Sequence, residues 1–418
     1  MNVTIHPQRL LEDLRQLATF GRAGPDDHPG IHRPSLSPQD MTSRHWLVER
    51  MTDAGLGARI DGIGNVVGRS KHLGPALLIG SHTDSQPRGG WLDGSLGVVY
   101  GLEIVRALHE SQPSLNLPID VVSFIDEEGT FIGSLGSLSF CNQITSLEVG
   151  DATNQQTGQP LNEAITEAGL LGIDLTRLEP DRHMAYLEAH IEQGNILESE
   201  GSRIGVVSTI VGIRNFDIRF EGKVNHAGTT PMNLRKDAGS SLINFAYELN
   251  KTLQPIAGPN TVWTIGRVNF DPGATSVIPG HADLTLQFRD PALEVLDRFE
   301  RQVEELVATA NRTGPVHVSL HPSSAIKPSA MDKNLQNHLV AAAQIHAPGA
   351  WKHMPSAAGH DAMTLADQLP CAMLFVPSLG GISHDYAEDT KEADIILGCE
   401  ILATAAASIL QSTSRLKR

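Results

Sequence analysis

Four short stretches of the chain bring carboxylates and imidazoles together. They are GSHTDSQPRGGWLDG with His82, Asp84 and Asp93, FIDEEGTF with Glu127 and Glu128, EAHIEQG with His190, Glu192 and Gln193, and GISHDYAEDT with His384. Histidine combined with Asp or Glu, and no cysteine, is the ligand set of a catalytic divalent metal, since structural zinc sites usually bring thiolates. Two cations about 3.5 to 4 Å apart need a carboxylate able to bridge, plus an imidazole and a further donor on each side. His82, Asp93, Glu128, His190 and His384 supply that set. The adjacent pair Glu127 and Glu128 suits a division of labour in which one carboxylate holds metal and the other stays free as general base. Taken singly, each stretch is ordinary: a histidine at a strand end is usually a satisfied polar residue, and a Glu-Glu pair usually caps a helix or faces solvent. Their joint occurrence, each just beyond a predicted strand, points to a metal site.

The elements that must position these residues are short β-type runs alternating with helical patterns. ALLIG (76 to 80) is followed by a helix from about Ser95 to Glu110, then by IDVVSFID (119 to 126), and MAYLEAH ends at His190. This βαβ succession predicts a mixed, mainly parallel sheet with helices on both faces. In the helix, Val98, Leu102, Val105 and Leu108 give one buried stripe. Ligand sites in open α/β sheets lie outside the carboxyl ends of the strands, so the four stretches would converge on one crevice.

Near residue 212 the pattern changes. FDIRFEG, a helix carrying Leu242, Phe245 and Leu249, TVWTIGRVNF, ADLTLQFRD, a helix carrying Leu296, Phe299, Val303 and Leu306, and VHVSLHP read as β-α-β-β-α-β, the ferredoxin-like order. The expected organisation is therefore a catalytic domain at 1–211 and 325–418, interrupted by an inserted α+β domain at 212–324. Segment 150–182 reads as helix and loop covering rather than as a linker.

Composition restricts partners. With 48 acidic and 32 basic residues among 418, the net charge of −16 disfavours nucleic acid and anionic membrane and favours a small-molecule substrate. Cys141, Cys371 and Cys399 are odd in number and far apart, which fits a reducing cytoplasm rather than a disulfide framework. The N-terminal stretch reads as a short amphipathic helix without the apolar core of a signal peptide, and no uninterrupted apolar run approaches about 18 residues.

GSHTDSQPRGGWLDGSLGV, DEEGTF, HIEQGNILE, NHAGTTPMNLRKDA, AAGHDAM and VPSLGGISHDYAE resemble, in order and over nearly the whole chain, the signature segments of the hydantoinase/carbamoylase branch of the zinc-dependent aminoacylase and carboxypeptidase (M20-type) superfamily. That branch includes N-carbamoyl-L-amino-acid hydrolases, β-ureidopropionases and allantoate amidohydrolases. The resemblance implies two divalent metal ions per subunit, zinc first, with manganese, cobalt or nickel able to share the ligands. It implies His82, Asp93 and His190 on one ion and Asp93, Glu128 and His384 on the other, with Asp93 bridging, Glu127 the general base and Asp84 the carboxylate behind His82. It gives the insert the role of lid and homodimerisation domain, with His226 polarising the scissile carbonyl. Gln193, Arg289 and His360 match substrate-contacting positions, to which Arg214 and Ser276 add two further pocket positions.

Four pocket letters depart from the family pattern: Ile213 stands where relatives usually carry Gln, Ser276 where they carry Asn, Ala357 where they carry Gly, and Trp91 where Arg or Lys is frequent. The expected activity is hydrolysis of a linear amide or ureido C–N bond in a small carboxylate-bearing substrate, with an N-carbamoyl amino acid as first choice. An N-acyl amide, and an allantoate- or ureidoglycolate-type substrate, are the alternatives. A non-catalytic binding protein is a remote one, because its mark would be loss of a ligand or of the base, and all six positions are present.

Overall fold

The computed structural model describes residues 3–26, 30–111 and 118–416, with side chains as far as 412. In chain order its main strands are β1 (Gly57–Ile60), β2 (Val66–Arg69), β3 (Ala76–His82), β4 (Ile119–Phe124), β5 (His183–Ile191), β6 (Ile204–Ile210), β7 (Gly212–Glu221), β8 (Val262–Asp271), β9 (His281–Asp290), β10 (His317–Ile326), β11 (Ser329–Ala330), β12 (Trp351–Ser356) and β13 (Cys371–Val376). The long helices are α1 (Pro7–Thr19), α2 (Pro38–Asp53), α3 (Ser95–Ser111), α4 (Ala238–Leu253), α5 (Leu293–Thr313), α6 (Lys333–His346) and α7 (Glu392–Leu416). The chain separates into two compact units, one of Met1–Ser208, Ala330–Met354 and Ala358–Arg418, the other of Thr209–Ser329 and Pro355–Ala357.

The first unit is built on a nine-stranded mixed sheet in the order β11-β6-β13-β5-β3-β4-β2-β1, with β12 also paired to β6. Its centre, β13-β5-β3-β4, is parallel, and antiparallel strands flank it on both sides. All four central strands are buried along almost their whole length, as near-continuous apolar runs require when both faces are covered. Helix α3 differs from the one-stripe expectation: Val98, Val99, Leu102, Ile104, Val105 and Leu108 are all buried. It packs on β3, β4 and β5 with one side and on α1 and α7 with the other, so nearly its whole circumference is interior.

Within the 21 residues Glu392–Ser412 of α7, an 18-residue window reaches a mean hydropathy of 1.8, long and apolar enough by composition to cross a membrane. Yet 72 % of its most apolar window is buried. Packed on α6, α3 and β13, it is a core helix of this unit. Within 150–182, Leu161, Ala164, Ile165 and Leu170 close a satellite core with Ile63, Ile125, Phe131 and Leu135.

In the second unit, β7, α4, β8, β9, α5 and β10 follow one another in the order read from the sequence. The four strands form an antiparallel sheet, β8-β9-β7-β10. Ala282, Leu284, Leu286 and Phe288 alternate with less buried neighbours along β9 and face the helices. Phe216, Ile218 and Phe220 of β7 do the same, and Leu242, Phe245, Leu249, Leu296, Phe299 and Val303 close the core from α4 and α5.

Candidate metal centre

The four stretches leave the carboxyl ends of β3, β4, β5 and β13. His82 is the last residue of β3, and Asp93 returns eleven positions later, just before α3. The return turns at Gly94, whose φ of +63° is in the left-handed region and where a Cβ would sit 2.5 Å from the His82 ring. Glycine here answers both to backbone conformation and to the space the imidazole occupies.

His82, Asp93 and His190 form one group of donor atoms within 4.8 Å of one another, and Asp93, Glu128 and His384 form a second. Asp93 belongs to both. Its Oδ1 lies 3.4 Å from His82 Nε2 and 3.1 Å from His190 Nε2. Its Oδ2 lies 3.5 Å from His384 Nε2, which is 3.7 Å from Glu128 Oε2. Burial alone would raise the Asp93 pKa, but His190, His384 and His82 around it hold the carboxyl well below its usual range. His82 Nε2 is buried without a hydrogen-bond partner, a costly state for a polar atom unless a ligand satisfies it. That orphaned nitrogen and the all-N/O donor set fit divalent cations.

The imidazoles are held from behind. His82 Nδ1 lies 3.2 Å from the Asp84 carbonyl oxygen, and His190 Nδ1 lies 2.9 Å from the Ile191 carbonyl. With Nδ1 of each ring donating, Nε2 carries the lone pair; that of His190 also accepts the Gly94 amide at 3.1 Å. The Asp84 carboxylate, 3.7 Å from His82 Nδ1, accepts the amides of Glu127 and Glu128 at 3.4 and 3.2 Å and so ties the β3 loop to the β4 loop. Asp126, Gln193 and His384, all at positive φ (+59°, +59° and +55°), sit in these loops, and strain of that kind concentrates at functional sites.

Glu127 stands beside both groups but in neither. Its Oε2 is 3.6 Å from His82 Nε2. Burial pushes its carboxyl well above the ordinary range, with Glu128 adding to the shift. A carboxylate that accepts a proton so readily beside a cation site is placed to act as a base. Gln193 donates from Nε2 to Asp93 Oδ2 at 2.9 Å and approaches His384 Nε2 at 3.2 Å. The His360 ring packs 4.6 Å from that of His190, and burial drives its pKa well down, so it is a neutral imidazole.

Two contributors were not legible in the sequence. Glu388 accepts the amides of Leu92 and Asp93 at 3.3 and 3.1 Å, and the Ser383 hydroxyl at 2.9 Å, joining the Asp93 loop to the His384 loop. Gln86 donates to Glu128 Oε2 at 2.8 Å. The only available signal for Glu388 was its place four residues beyond His384, in a run of acids that reads as solvated surface.

The remaining predicted residues lie in the second unit. His226 Nδ1 accepts the amides of Gly228 and Thr229 at 3.0 and 3.1 Å, which leaves Nε2 as the nitrogen able to donate. Arg289 donates to Gln287 Oε1 and to the Ala357 carbonyl, both at 2.9 Å, instead of pairing with neighbouring Asp290 or Glu294. Asp290 is taken up by Thr261 and the Ala292 amide. The Arg214 guanidinium is occupied inside the unit by the Ile326 carbonyl at 2.9 Å and by Glu300 at 3.3 Å. Ser276 offers its carbonyl to the Ala227 amide, 2.9 Å away, and so fixes the turn after His226.

Two groups of candidate metal donors sharing one aspartate, at the carboxyl ends of a mainly parallel sheet, are the arrangement that a metal-dependent hydrolase uses. Residues 78–408 match the model of Peptidase family M20/M25/M40, and the chain belongs to that family. It is similar to the N-carbamoyl-L-amino-acid amidohydrolase of Paenarthrobacter aurescens, 33 % identical over 94 % of this chain and 96 % of that one. It is also similar to the allantoate amidohydrolase of Escherichia coli, 30 % identical over 96 % and 97 %. An amidase of the hydantoinase/carbamoylase family from Burkholderia phymatum superposes with a TM-score of 0.91 at 49 % identity, covering 99 % of both chains. The protein is thus a hydrolase of carbon–nitrogen bonds other than peptide bonds.

Proposed function

We propose that the protein hydrolyses the ureido bond of an N-carbamoyl amino acid, releasing the amino acid, carbon dioxide and ammonia. The observation that carries this reading is the pair of donor groups sharing Asp93 with Glu127 left outside both. His82, Asp93 and His190 would hold one ion and Asp93, Glu128 and His384 the other, zinc first and manganese, cobalt or nickel as substitutes. Such ions, when bound, polarise a carbonyl and lower the pKa of water.

Glu127 takes the proton of the attacking water and returns it to the departing nitrogen. His226 donates from Nε2 to the carbonyl oxygen as charge develops on it, a contribution of about 3 to 4 kcal/mol in comparable oxyanion sites. Arg289, with no carboxylate among its hydrogen-bond partners, grips the substrate carboxylate. Gln193, which steadies the shared Asp93, and His360, packed on His190, contact the substrate beside the donor groups. The second unit serves as lid and homodimer contact. Three buried free cysteines support residence in the cytoplasm.

A second reading keeps the mechanism and replaces the carbamoyl by an acyl group. It is favoured by Ile213, an apolar side chain on β7 where relatives usually carry an amide. Metal-reconstituted protein offered a panel of N-carbamoyl and N-acyl amino acids separates the two: ammonia release from the carbamoyl set is expected. Turnover confined to the acyl set would replace the first reading by the second.

A further inference from the structure

The loop that carries His82 and Asp93 is rich in glycine, serine and proline, and such a loop does not hold two ligands in register by its own stiffness. A strap of residues 30–33 runs alongside it. Ile31 and Gly89 exchange both backbone hydrogen bonds, at 2.9 and 3.0 Å, and a Cβ at Gly30 would meet the Gly89 carbonyl at 2.5 Å. Arg33 and Ser85 make a second reciprocal pair: the Ser85 amide donates to the Arg33 carbonyl at 3.0 Å, and the Arg33 amide donates to Ser85 Oγ at 2.9 Å.

From this strap the Arg33 side chain enters the interior and is fully buried. Its Nε donates to the Thr83 carbonyl at 2.6 Å, next to His82. One Nη2–H reaches Ser95 Oγ at 3.1 Å, two residues after Asp93. Nη1 donates to the carbonyls of Leu17 and Phe20, at 2.8 and 2.9 Å, at the end of α1. None of these four bonds goes to a carboxylate. Asp40 and Asp84 offset its charge at longer range, and burial brings its pKa down only to about 10, so it stays a cation at neutral pH. A buried guanidinium spent on carbonyls and a hydroxyl is expensive to keep, and its planar fork is what lets one side chain bind in several directions at once.

We propose that Arg33 is a positioning residue that clamps both ends of the His82–Asp93 loop to the end of α1 and so presets the spacing of the metal ligands. This rests on the metal reading of the site. Residues behind metal ligands commonly change affinity by about 10- to 100-fold when replaced. A lysine at 33 keeps the charge but cannot reach Thr83, Ser95 and the α1 carbonyls together.

The test is zinc affinity of the full chain, measured by competition with a chromophoric chelator, beside the melting temperature of the metal-free protein. Arg33→Lys is expected to weaken zinc binding about 10- to 100-fold, and Ser95→Ala, which removes one bond of the clamp, to weaken it less. Leu339→Ala, a core change in α6, is expected to lower the melting temperature with zinc affinity unchanged. Wild-type affinity in both Arg33→Lys and Ser95→Ala would overturn the clamp, as would an equal affinity loss in Leu339→Ala. A wild-type chain that binds no zinc would instead remove the metal reading itself. Should Arg33→Lys fail to fold, Ser95→Ala alone decides.

Discussion

The metal crevice and the second unit use their functional residues in opposite ways. In the metal centre His82, Asp93 and His190 are 1 to 3 % exposed, His384 is the exposed member, and Asp93 and its loop are held by Gln193 and Glu388 from two other loops. In the second unit His226 is exposed and held by its own turn and a short pairing with Val277, and Arg289 leans on a glutamine and a carbonyl. The difference teaches where precision is needed. Cations a few ångströms apart tolerate little error in donor position, so their ligands grow from the ends of a buried parallel sheet. Groups that grip and release a substrate need freedom, and an antiparallel sheet with one open face supplies it.

That contrast can be broken or sharpened. Asp93→Ala removes the donor common to both groups, so bound metal measured by elemental analysis and turnover should both disappear; retention of two ions would break the contrast outright. Glu127→Gln should lower kcat by about 10²- to 10⁴-fold while metal content stays at the wild-type value. Loss of metal in that variant would make Glu127 a ligand. Arg289→Ala should raise KM for carboxylate substrates by about 10- to 100-fold through loss of charge-assisted hydrogen bonds, with kcat and metal content nearly unchanged. Gly94→Ala forces a left-handed alanine, a cost of about 1 to 2 kcal/mol, against the His82 ring. About tenfold weaker metal binding is the expected result, read by the same chelator competition.

Much of this was legible because strands and ligands share one grammar. Apolar runs such as ALLIG and VVSFI lead within a few residues into His, Asp or Glu, and a parallel sheet sends all such ends to one edge. The β-α-β-β-α-β order of the second unit was equally visible, since alternation along ADLTLQFRD marks a strand covered on one face. Glu388, Arg33 and Gln86 were not visible, because what defines them is contact across the fold: Glu388 meets Asp93 from 295 residues away. No local pattern separates IHRP from a surface loop. The burial of α3 on nearly all sides was also hidden, since a stripe of Val98, Leu102, Val105 and Leu108 looks the same whether or not α1 and α7 cover the opposite side.

Two cations are expected to share Asp93. Anomalous diffraction from crystals grown with zinc tests it most directly. Two peaks about 3.5 to 4 Å apart are expected, one between His82, Asp93 and His190 and the other between Asp93, Glu128 and His384. A single peak, or two peaks with Asp93 bound to only one, would contradict it.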